Sequence, residues 1–454
     1  MKDAYDYIIV GAGSSGCALA NQLSADPSRT VLLIESGPSD HTLFISMPRG
    51  IGVILDRGSK YVWDYPVTYT GGNRPPERWF KGKVIGGSSS VNGMVYMRGA
   101  PLDFDRWAEM GCTGWSWNDV GAKYVQLEDH ELGAAKYRGK GGPLHVTVHP
   151  KGDPLYEAII KAGGEMGVAR VEDINDVDAV REGGIGYQPR TIYRGKRASS
   201  ANAFLDPVRK RPNLDIVSET DVLKIEFEGK RAVAVRARDK TGQRSIRANR
   251  EIIISAGAIQ TPKLLQLSGV GPAALLQQHG IEVVADSPEV GRNLREHRHF
   301  DIKYRVKSHS QNEKLSGLAA IWSTLRYFVT SKGPMTHSAH EVGGFMKTDP
   351  SLPHADLQFG LLAVSANTDA ATGKVTLDDF LGITFLGYYT RPKSQGEIRI
   401  QSADPDEPPY INANHLDEEI DRERRSRWSN GSAAWASNRR SRIGSSRKSH
   451  PAPG

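Results

Sequence analysis

From Tyr7 to Val10 the chain is an unbroken apolar run with β-branching, the pattern of a parallel strand buried on both faces. The period then lengthens, and Ala18, Leu19 and Leu23 share one face of a predicted helix. A second apolar run, Thr30 to Ser36, predicts another buried strand. Far along the chain Ile252–Ile254 repeat the strand signal. They end on the small residues Ser255-Ala256-Gly257, and Leu264, Leu265 and Leu267 follow at helical spacing until Gly269 and Gly271 stop the pattern. Within that stretch Thr261-Pro262 reads as an N-cap with proline at the first helical position.

Between the first strand and its helix stands Gly11-Ala-Gly13-Ser14-Ser15-Gly16. Each glycine has a task at this spacing: a tight turn, close approach of backbone to a pyrophosphate, and helix–strand packing. Free N–H groups at the helix start favour an anion. Glu35 closes the second strand, 19 residues after Gly16, where a carboxylate accepts hydrogen bonds from both hydroxyls of an adenosine ribose. The unit predicts dinucleotide binding and leaves NAD and FAD open. Glu35 would repel a 2′-phosphate, which argues against NADP.

Composition adjusts this picture in three ways. A chain of 454 residues exceeds what one core usually organises, so two lobes are expected. The net charge of +7 invites a nucleic-acid reading, but residues 421–454 alone hold nine Lys and Arg against two acids, and the remainder is neutral. Cys17 and Cys112 belong to no C-x-x-C pair, so a reducing cytoplasmic setting is expected. Asp3 and Asp6 interrupt any leader-like start, and no stretch reaches the roughly 18 apolar residues of a membrane span. Contact with a membrane surface stays open.

Gly82 to Gly99 carries a second glycine-rich loop, Gly86-Gly87-Ser88-Ser89-Ser90, too small to be core filler and suited to close backbone approach along a flat or charged group. This stretch and Glu251–Gly271 resemble the two signature segments of the glucose–methanol–choline (GMC) oxidoreductases, flavoproteins that oxidise alcohols. Residues 290–297 and 391–416 also resemble family segments, with Glu296 where an aspartate is usual, so the similarity runs from residue 5 to about 420.

The resemblance implies an α/β fold, with a Rossmann-like FAD-binding domain interleaved with an α+β substrate domain built on an antiparallel sheet. The FAD lobe would comprise mainly residues 5–145 and 196–300, within a family N-terminal region of 1–300. The substrate lobe would comprise 150–190 and 301–400, and 390–423 would begin the family's C-terminal region. By position, Gly11, Gly13, Ser14, Ser15, Gly16 and Glu35 would hold pyrophosphate and ribose. Lys83, Val84, Gly87, Ser88, Asn92, Gly93, Met94 and Val95 would line the flavin. Val222 would meet the adenine through its backbone or be ordinary strand core, with Ala256 nearby. Val91 occupies the place where some members carry a histidine linked to the cofactor, so non-covalent FAD is implied. Glu341 stands where some relatives send a carboxylate toward the substrate; it would face a cationic alcohol such as choline or act as a structural acceptor. His145, His149 and His299 show no metal-ligand spacing, and no metal is expected. Oxygen or a quinone-type acceptor would reoxidise the flavin.

The segment Arg424–Gly454 departs from all of this. An Arg- and Ser-rich interaction tail is one reading. A shifted coding frame near Arg424 is the other, since the displaced codons read back as an amphipathic helix. On the second reading the family's catalytic His and Asn pair and the end of the FAD domain are missing, no catalytic residue is assigned, and the chain would not turn over alcohol. His450 is not in the context of that base. Two rivals remain: another two-dinucleotide flavoprotein, such as an amine oxidase or a disulfide reductase, the latter needing a redox cysteine pair and a second motif, and a flavin-binding or interaction protein without catalysis whose basic tail recruits nucleic acid.

Overall fold

The computed structural model describes residues 2–68, 77–368 and 375–426. The expectations for the basic tail, frame shift included, fall almost wholly on 427–454 and lie outside the described residues.

Two sheets organise the chain. In chain order their strands are β1 (Ala4–Val10), β2 (Val31–Ile34), β3 (Gly184–Tyr187), β4 (Leu214–Val217), β5 (Asp221–Glu228) and β6 (Arg231–Asp239). There follow β7 (Gly242–Ile254), β8 (Phe300–Arg305), β9 (Val342–Met346), β10 (Leu357–Leu362) and β11 (Gly382–Tyr389). Four helices matter for the site: α1 (Ser14–Leu23), α2 (Pro154–Glu165), α3 (Gly257–Leu267) and α4 (Gly317–Thr330).

The first sheet has the order β4-β2-β1-β7-β6-β5. Its β4, β2, β1 and β7 run parallel, and β6 and β5 continue it antiparallel. Period-two alternation splits its apolar residues between two cores. Ile9, Val31 and Leu33 pack with Cys17 and Ala20 of α1, whereas Ile8, Val10, Leu32 and Ile34 pack with Leu264 of α3. Burial on both faces is why β1 and β2 read as continuous apolar runs.

The second sheet, β8-β11-β10-β9-β3, is antiparallel throughout. Leu155, Tyr156, Ile159 and Ile160 of α2 cover one side of it, against Ile185, Val342, Leu357 and Phe359. An α/β nucleotide-binding fold with an antiparallel second layer is therefore present.

One boundary differs from expectation. The third helix starts at Gly257 with Ala256 as its N-cap, and Pro262 lies inside it rather than at its first position. Gly257 takes a left-handed φ of +78° and starts the helix directly from the end of β7. Thr261 is thus a residue of the helix and not its cap. Ile252–Ile254 are the end of the 13-residue strand β7 and are half-buried.

Candidate functional site

The turn from β1 into α1 and the loop after Gly82 are pressed together. Gly86 N–H donates to the Ala12 carbonyl at 2.7 Å. Gly87, at φ +55°, lies so close to Gly13 that a Cβ on it would stand 2.7 Å from the Gly13 Cα. A Cβ on Gly16 would lie 2.0 Å from the Gly11 carbonyl oxygen, so Gly16 sets how near α1 approaches β1. Gly13 is different. A Cβ there would make only ordinary contacts, the nearest at 3.8 Å from the Ser255 carbonyl oxygen, and the residue borders open space.

That space is a cavity of about 860 Å³ lined by Gly11, Gly13, Ser14 and Ser15 of the first turn and Glu35 at the end of β2. Lys83, Gly87 and Ser88 of the second loop, Val222 of β5 and Ala256 before α3 complete the expected wall. Ten residues drawn from five distant segments thus meet at one site. Gly16 and Val84 stand behind the wall: Val84 is fully buried with Ile45, Ile54, Val62 and Val91. Asn92–Val95 lie farther along the same loop and pack on the segment that follows β3, where Thr191 N–H donates to the Met94 carbonyl and Val95 bridges Arg190.

Glu35 is 6 % exposed. Its Oε2 accepts from Ala12 N–H and its Oε1 from Gly37 N–H, both at 2.9 Å. Burial pushes its pKa up to about 7 although both amides favour the charged form. The carboxylate is fixed in place with lone pairs to spare, as an acceptor for paired hydroxyls requires. The first-turn N–H groups of α1 supply an anion-favouring end, and no acidic residue stands in that turn. Lys83 sets its ammonium 4.2 Å from the centroid of the Trp63 ring beside the cavity.

Sequence reasoning missed the outer wall. Pro405 and Asp406 close over the cavity from late in the chain. Lys263 Nζ donates to the Pro405 carbonyl at 2.6 Å, and Arg238 pairs with Asp406 at 2.5 Å. The organiser of the glycine-serine loop was missed too. Arg197 is 4 % exposed; its Nε donates to Ile45 O, and its Nη1 to Ser89 O, Asn92 O and Asn92 Oδ1. Its partners are neutral oxygens, and burial lowers its pKa to about 10. Only the polarity of Arg197 was visible in sequence, since its partners lie more than 100 residues away.

Glu341 is 2 % exposed, and both of its carboxylate oxygens accept from Arg190 Nη1 at 3.1 Å. Burial would raise its pKa, but Arg190, the neighbouring histidines and the Ser338 amide outweigh that and hold it below the usual carboxylate value. His149 and His337 join it, with ligand-type atoms of all three within 4.8 Å of one another, a grouping that spacing did not reveal. Arg190 occupies the carboxylate and Arg49 adds a second positive charge to the group's field, so the cluster opposes a cation. Cys17 is buried and its thiol is pushed up to about 12 by desolvation, which leaves it unreactive. Among the described residues no helix is long and apolar enough to cross a membrane.

A cavity with an anion-favouring helix start, a fixed carboxylate acceptor and glycine-lined walls fits an extended dinucleotide. Comparison with known proteins agrees and chooses the cofactor. Residues 5–299 match the family described as GMC oxidoreductase. The chain is 37 % identical to an oxygen-dependent choline dehydrogenase of Brucella anthropi, over 92 % of this chain and 74 % of that protein. It is 38 % identical to an alcohol dehydrogenase [acceptor] of Pseudomonas putida, over 92 % and 75 %. Among solved structures, pyridoxine 4-oxidase from Mesorbium loti superposes with a TM-score of 0.86 at 28 % identity, covering 99 % of this chain and 84 % of that one. Formate oxidase superposes with a TM-score of 0.88 at 26 % identity and the same coverage. The chain belongs to the GMC oxidoreductases, FAD-dependent enzymes that act on alcohols.

Proposed function

We propose that this chain binds FAD non-covalently in the cavity between the Gly11–Ser15 turn and the Gly87–Ser88 loop, and serves the oxidation of a primary alcohol. The observation that carries the reading is the convergence of both glycine segments, Glu35, Val222 and Ala256 on one cavity. When bound, FAD supplies the acceptor for the hydride that leaves the alcohol carbon. The protein's own part is binding and orientation. The α1 amides would bind the pyrophosphate, Glu35 would accept from the ribose hydroxyls, and Asn92–Val95 would hold the flavin. Val91 is 4 % exposed among aliphatic side chains and offers no nucleophile for a covalent link.

On this reading residues 5–145 and 196–300 form the FAD lobe, and 150–190 with 301–400 form the substrate lobe. The two sheets support that division, because each draws its strands from one of these sets. The ion pair of Glu341 with Arg190 favours an uncharged alcohol over a quaternary ammonium, since the negative charge is already matched. No histidine is among the described residues lining the cavity, so proton removal from the alcohol is assigned to none of them. Oxygen or a quinone-type compound is the electron acceptor. The test is reconstitution of the purified chain with FAD, followed by alcohols with dye and oxygen readouts. One FAD bound per chain supports the reading, and a chain that takes up no flavin overturns it.

A further inference from the structure

Helices of a folded domain turn their apolar stripe inward. Among the described residues, α4 does the reverse. Its less exposed side carries Ala320, Ser323, Thr324 and Tyr327, and only Tyr327 is buried. The opposite side presents Leu318, Ile321, Trp322, Leu325, Phe328 and Val329 at spacings of three and four residues, between 48 % and 84 % exposed. Single exposed apolar side chains are ordinary, whereas six on one stripe mark an interaction surface.

The charges around the stripe identify its partner. Lys314, Arg326 and Lys332 are exposed within or beside the helix, and Lys307 is exposed ten residues before it in the chain. Arg194 and Lys196, also exposed, sit on a hairpin whose tip abuts the end of α4: a Cβ on Gly195 would stand 2.1 Å from the Ser331 carbonyl oxygen. None of these six cations has an ion-pair partner among the described residues. Glu313 is the sole acid between residues 306 and 336. A second copy of the chain, docked through the same face, would bring these cations against their equivalents. Residues 427–454 contain no acid and six basic residues, so they are repelled as well. An anionic lipid surface satisfies both components at once, with aliphatic and aromatic side chains in the acyl boundary and Lys and Arg among the headgroups.

We propose that α4 is a membrane-docking helix that lies in the plane of an anionic bilayer and holds the protein against it without spanning it. The helix then presents Trp322 at the depth of the headgroups, where indole rings partition.

Sedimentation of the full chain with vesicles tests this. Binding to phosphatidylglycerol–phosphatidylethanolamine vesicles is expected to exceed binding to phosphatidylcholine vesicles about tenfold or more. The double variant Ile321→Glu, Phe328→Glu is expected to lose that binding about tenfold or more, with circular dichroism and FAD uptake unchanged. Brominated phosphatidylglycerol is expected to quench tryptophan emission, and Trp322→Phe to remove most of the quenching while sedimentation persists. Equal sedimentation of the double variant would assign binding to the basic tail and overturn the proposal. So would failure of the wild-type chain to bind, or a dimer that the double variant dissociates in the absence of lipid binding.

Discussion

Gly87 rests against Gly13 backbone to backbone, with 2.7 Å between the Gly13 Cα and any Cβ added at residue 87. This contact joins the two glycine segments, and residue 87 has no room for a side chain. Gly87→Ala must also hold a left-handed φ of +55°. The substitution is expected to destabilise the protein by ~1–3 kcal/mol and to weaken FAD binding about tenfold or more. Urea unfolding and flavin titration measure the two effects. Unchanged affinity would place the cofactor elsewhere.

Glu35 gives the site a pH signature. Its folded pKa of about 7 lies above the ordinary 4.5, so the folded chain without cofactor holds the extra proton between those values. Stability of that form therefore falls as pH rises through the window, and Glu35→Gln flattens the slope. A ribose donating hydrogen bonds favours the charged carboxylate, so binding FAD is expected to release a proton near pH 6. Calorimetric titrations in buffers of different ionisation enthalpy read that proton. Identical heats in all buffers would contradict the assignment.

Removing Arg190 isolates a carboxylate that is 2 % exposed. Arg190→Ala is expected to cost ~3–5 kcal/mol, read from the shift of a denaturant midpoint. In the wild-type protein choline is expected to bind no more tightly than its uncharged dimethylbutanol isostere, because Arg190 already matches Glu341. A strong preference for choline in a competition titration would show that the pair opens to admit it.

Arg197 reaches oxygens of Ile45, Ser89 and Asn92 at once, a span that lysine cannot bridge with one ammonium. Arg197→Lys is expected to destabilise by about 2–3 kcal/mol and to slow flavin loading through a looser loop at Ser89–Asn92. Thermal unfolding and stopped-flow loading check both effects.

What could be read from sequence was what is local. The Gly11–Gly16 spacing, the buried runs of β1 and β2 and the position of Glu35 are each contained within about 30 residues, and each names its own geometry. The start of α3 was misplaced because a left-handed glycine launches a helix as effectively as a threonine cap, and the two signals stand four residues apart. Arg197, Asp406 and the His149–His337–Glu341 group were illegible for a different reason. Each is defined by partners from remote segments, and a polar side chain carries no mark of which partner it will meet. For α4, periodicity defines a stripe but not whether that stripe faces the body or the solvent.

The walls of the cavity enter the chain at widely separated times, from Val10 at the start to Pro405–Pro409 near the last described residues. During synthesis, a ribosome must deliver nearly all of the described chain before the pocket has its outer side. On the proposed site, cofactor capture is then a closing event of maturation, and a nascent chain held before Pro405 would expose a half-built cleft with its glycine turns bare to solvent.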